Sequence, residues 1–86
     1  RRMAFSAVWP TVMIPPGWSF ALSITAPGVH PDDSVSSVDF GRSLQGMTES
    51  AYVEDVNLLT VVVLNSTQTN KTVLANTLTA VVEQSV

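Results

Sequence analysis

A single histidine, His30, sits in the stretch GVHPDD just ahead of Asp32 and Asp33, and a hydrolytic reading of the chain would begin here. In such a reading the imidazole takes a proton and a neighbouring carboxylate orients it. The surrounding residues favour something plainer. The segment is a proline-bounded turn, aspartate commonly closes turns through its own backbone, and nothing beside it would build a pocket. Together with Asp39 the same loop offers oxygen ligands of the kind Ca²⁺ takes, but the ligand set is short and its spacing departs from the calcium-loop pattern. The residues therefore predict no catalytic group, no metal site and no cofactor.

Two further patterns have chemistry attached. Asn65-Ser66-Thr67 and Asn70-Lys71-Thr72 are N-glycosylation sequons, although a turn rich in Asn and Thr generates such triplets by chance. Trp9, Trp18 and Tyr52 suggest a sugar-stacking platform. Trp18 falls on an alternating apolar face and is assigned to the core. Trp9, beside Pro10, is the expected exposed aromatic, directed at a neighbouring subunit in preference to a glycan.

Composition limits the partners. The chain has 86 residues, enough for one domain near the lower limit of what buries its own core, and it has no cysteine to staple it. Charged residues make up 13%, against about 25% in ordinary globular chains, and mean hydropathy is +0.28. So little charge on so small a domain implies that part of its surface faces a partner. The net charge is −3 with four basic residues, Arg1, Arg2, Arg42 and Lys71, so phosphate backbones are not expected ligands. No apolar run approaches the roughly 18 residues of a membrane helix, and the run after Arg1-Arg2 ends at Pro10, too early for an export signal. Starting with Arg, the chain reads as a processed product or an incompletely recorded one.

The elements available to position these residues are strands. Six β-rich segments are separated by turn signals, and no window shows helical spacing. In WSFALSIT, Trp18, Phe20, Leu22 and Ile24 share one face and Ser19, Ala21, Ser23 and Thr25 the other, as in a half-buried strand. Pro15, Pro16 and Gly17 turn the chain ahead of it. Residues 1–14 read as an extended arm or edge strand interrupted at Pro10, and 15–86 as the sandwich proper. Val35, Val38 and Phe40 fit no single face, which predicts a bulge near Ser36 and Ser37. Residues 58–64 are apolar on both faces, Leu58, Thr60, Val62 and Leu64 pointing one way and Leu59, Val61 and Val63 the other. A small sandwich covers one face only, so the other calls for a cover from outside. The polar loop 65–70 is expected to return the chain as a hairpin into the last strand.

The succession of TAPG, PDDSV, LQGM, AYVEDVNLLTVVVLN and NTLTAVVEQ, over residues 18–84, resembles a short β-sandwich module of tailed-bacteriophage virion proteins. Pro27 and Gly28 match its Pro-Gly turn, Asp33 the acid before the next strand, Gly46 the connection glycine and Asn65 the strand-ending asparagine. Asp32 and Asn76 stand where that pattern has glycine. The resemblance implies structural service as a capsid decoration or cement protein, a head fibre or a tail fibre, commonly as a trimer.

The reading is thus an all-β, small antiparallel β-sandwich, Ig-like or jelly-roll-like, of six or seven short strands with an extended N-terminal arm. The expected role is a non-enzymatic virion protein on the capsid exterior. Its partners would be copies of itself, as a trimer, and the major capsid protein or another virion protein, with neither nucleic acid nor membrane involved. Met3, Phe5, Val8, Trp9, Val12, Leu59, Val61 and Val63 are the expected interface. The alternatives are a tail-fibre adhesin module binding host glycans and an accessory sandwich domain of a secreted enzyme.

Overall fold

A computed structural model of the chain describes residues 1–84, and among them it has strands and no helix. In chain order the strands are β1 Arg2–Trp9, β2 Val12–Ile14, β3 Ser19–Thr25, β4 Ser34–Asp39, β5 Thr48–Asp55, β6 Leu58–Leu64, β7 Lys71–Val73 and β8 Asn76–Glu83. One sheet has the order β1-β8-β4, the facing sheet β3-β6-β5, and β2 with β7 forms a two-stranded ribbon. Every pairing is antiparallel.

Eight strands appear in place of six or seven because two short ones escape periodicity. Pro10 splits the first extended segment, sending β1 to one sheet and β2 to the ribbon, since its ring nitrogen has no hydrogen for a ladder. Residues 71–73, only three long, then pair with β2.

The core lies between the sheets. From β8 come Leu78, Ala80 and Val82, from β6 Leu59, Val61 and Val63, and from β3 and β5 Ile24 and Val53. Alternation explains these sets, because successive side chains leave a strand on opposite faces. β6 and β8 are each the middle strand of a sheet. They are not hairpin partners, contrary to the expectation for the polar loop: β6 forms its hairpin with β5, and the chain reaches β8 in the opposite sheet by way of β7. A central strand is hydrogen-bonded on both sides and packed on its inner face, which is why the β-branched run 60–63 and the β-branched-rich stretch 79–82 occupy these places.

Turns follow local chemistry. In 15–18 and 26–29 a proline precedes a glycine of positive φ, 78° at Gly17 and 95° at Gly28, and the fourth residue donates its N–H to the carbonyl of the first. That is the type II pattern. Gln45 and Gly46 both have positive φ between Leu44 and Met47, giving a type I′ turn. The bulge expected near Ser36 and Ser37 is present as a register shift between Val35 and Ser37.

Candidate interaction surface

β1 pairs with β8 along its whole length and ends in Trp9, which is completely buried. The Trp9 ring meets Phe20 edge-on at 5.4 Å and Phe40 at 5.2 Å, closing one end of the sandwich. Its indole N–H has no hydrogen-bond partner.

The placement of the two tryptophans is thus the reverse of the sequence expectation. Trp18, 67% exposed, lies outside the core, in the turn after Gly17 and one residue ahead of β3. Trp9, at the end of β1, is completely buried against Phe20 and Phe40. Of the expected interface, Trp9, Leu59, Val61 and Val63 are completely buried within this one chain and form no outer face. The sequence showed that β6 is apolar on both sides but not which side turns inward. Met3, Phe5 and Val12 are half-buried against the core, and Val8, 73% exposed, lies on the surface. The outward face of β6 carries Leu58, Thr60, Val62 and Leu64. Thr60 is covered there, donating its hydroxyl to the Glu54 carboxylate at 2.6 Å, while Leu64 stays exposed. Around them stand Ser19, Ala21, Ser23 and Thr25 of β3 and Thr48, Ser50 and Tyr52 of β5, all exposed.

Three polar side chains in the loops, those of Asp33, Asn57 and Asn65, are committed to holding the chain. The Asp33 carboxylate accepts the backbone N–H of His30 at 2.9 Å, and the Asp33 N–H donates to the His30 carbonyl, so this acid closes its turn through the backbone. The His30 side chain is exposed. Among the described residues no group of three or more His, Cys, Asp or Glu is placed to hold a metal ion. No helix there is long and apolar enough to cross a membrane. Asn65 is completely buried and so unavailable to a glycan, whereas Asn70 is exposed. Asn57, unremarked in the sequence, has φ 63° and accepts the Gly28 N–H through its side-chain oxygen at 2.8 Å, fastening the 26–29 turn to the β5–β6 hairpin.

On the side where β4 and β5 approach, a cleft of about 160 Å³ lies between the bulged stretch 35–38 and residues 49–51. Partial desolvation, with the nearby Asp39 charge, raises the pKa of Glu49 above the ordinary carboxylate value. On the opposite side of the sandwich β1 and β3 are both edge strands, and Met3, Phe5, Phe20 and Leu22 there remain half-buried. The three expected stacking aromatics do not form one exposed platform, since Trp9 is internal.

Comparison with protein-family models, with curated proteins and with solved structures gives no match.

Proposed function

We propose that this domain is a non-enzymatic structural component of a virus particle, a decoration or cement module that acts by contact area on the outside of a capsid. The observation that carries the reading is the apolar surface left over after the core has closed: Trp18, Met13, Leu64 and Leu74 remain exposed, while the loop side chains of Asp33 and Asn65 are spent on the chain's own backbone. Apolar side chains that could be buried, each worth about 1.5–3 kcal/mol, favour docking over solution. The virion setting comes from the resemblance alone; Pro27, Gly28, Asp33, Gly46 and Asn65, the positions that carry it, each form or pin a turn in this chain.

The test is binding to purified heads of the phage that encodes the chain. Association at a copy number comparable to the major shell protein, with raised resistance of the heads to heat or chelation, is the expected result. Absence from the particle would overturn the reading, and a few copies confined to the tail would replace it with a fibre module.

A further inference from the structure

Four strands edge the two sheets, and three of them carry devices that discourage pairing with another chain. β4 is bulged between Val35 and Ser37 and bears Asp39. β5 is bulged between Val53 and Asp55 and bears Glu49, Glu54 and Asp55. β1 bears Arg2. β3, with the sequence SFALSIT, has no charge, no proline and an unbroken register against β6.

We propose that the free edge of β3 pairs antiparallel with the same strand of a second copy of this chain, about a twofold axis at Leu22. The backbone is poised for it. Trp18 accepts the Asn65 N–H and Ala26 donates to Asn57, so even-numbered positions at both ends of β3 turn their polar groups toward β6 and its hairpin. By alternation Ser19, Ala21, Ser23 and Thr25 turn theirs to the open edge. In the twofold register Ala21 stands opposite Ser23 of the partner subunit, and Ser19 opposite Thr25 of the partner subunit. Each such pair exchanges hydrogen bonds, and all four residues are small and exposed, leaving nothing bulky in the way.

The side chains agree with the same register. On the inward face Leu22 meets Leu22 of the partner subunit, and the half-buried Phe20 meets Ile24 of the partner subunit, continuing both cores across the axis. One step further out, Trp18 stands opposite the completely buried Ala26 of the partner subunit, at the rim of the pairing. The product is a continuous sheet running through both copies from β5 to β5. A β-branched and aromatic strand without charge would otherwise invite unspecific pairing. This inference goes beyond the virion assignment and does not depend on it; a twofold dimer also differs from the threefold assembly that the family resemblance implies.

The experiment measures molecular mass by sedimentation equilibrium across micromolar to millimolar concentration, with amide exchange read residue by residue. A dimer is expected in which the Ala21 and Ser23 amides gain protection as concentration rises. Ala21→Pro removes an outward N–H without touching the β6 ladder, and Ser23→Lys places a cation on each side of the axis while leaving the backbone intact. Each acts twice in the dimer and should weaken it roughly tenfold or more while the monomer stays folded by circular dichroism. A chain that remains monomeric, a trimer, or a dimer insensitive to Ser23→Lys and without protection at Ala21 and Ser23 would overturn the pairing.

Discussion

The side-chain amide of Asn65 donates to the backbone oxygen of Ile14 at 2.7 Å, joining segments 51 residues apart in the chain. The same amide reaches the Thr69 carbonyl, and its oxygen accepts the N–H and hydroxyl of Thr67. One completely buried side chain thus organises the loop after β6 and fastens it to the ribbon strand β2. Asn65→Ala leaves two carbonyls and an N–H without these partners and should cost about 3 kcal/mol. Urea unfolding of this variant beside Ser66→Ala, an exposed neighbour expected to change stability by less than about 0.5 kcal/mol, checks the claim.

Trp9 fills the closed end of the core while leaving its indole N–H unpaired. Trp9→Ala should therefore destabilise by about 3–5 kcal/mol through the cavity it opens. Trp9→Phe removes the unpaired donor and keeps a ring between Phe20 and Phe40, so its cost should be about 1 kcal/mol. Equilibrium denaturation of both variants gives the difference. Equal losses would mean that the aromatic contacts count for nothing.

At Asn57 backbone conformation and side-chain bonding are separable. Asn57→Gly keeps the positive φ and loses the bond to the Gly28 N–H, for a cost of about 1 kcal/mol. Asn57→Ala loses the bond and strains the turn as well, for about 2 kcal/mol. Thermal melting of the pair should rank the wild type above glycine and glycine above alanine.

Two carboxylates make opposite contributions as pH changes. Glu49 has a raised pKa in the folded chain, from desolvation first and Asp39 second, so its contribution is fully present below the unfolded pKa and is lost as pH rises through the folded one. Glu49→Gln should accordingly raise the melting temperature at neutral pH, the gain vanishing in acid. Glu83 has a lowered pKa, chiefly from its hydrogen bond with Arg2 at 2.9 Å, so its contribution is present above the unfolded pKa and is lost as pH falls through the folded one. Glu83→Gln should lower the melting temperature slightly at neutral pH, with convergence in acid and in high salt. Melting curves of both variants against pH would reject this account if the differences had the same sign.

Where local rules suffice, the sequence is legible. The alternation in β3, the Pro-Gly turns, the break at Pro10 and the bulge at Ser36–Ser37 all follow from φ restrictions and a period of two, which act over a few residues. Phe20, Leu22 and Ile24 face inward as their spacing requires. The side of β6 that turns in is marked in its own residues only by Thr60 on the outward face, because Leu58, Val62 and Leu64 are as apolar as Leu59, Val61 and Val63. The choice is made by what the opposing sheet covers.

The same holds for the tryptophans and the asparagines. Composition and pattern determined that the chain is all-β, that its turns fall where they do, and that it has more apolar residues than one small core absorbs. Only the tertiary structure decided that Trp9 is inside and Trp18 outside, that Asn65 is internal and Asn70 accessible, and that β6 and β8 take the centres of separate sheets. Those outcomes depend on contacts between residues far apart in the chain, to which a period of two is blind.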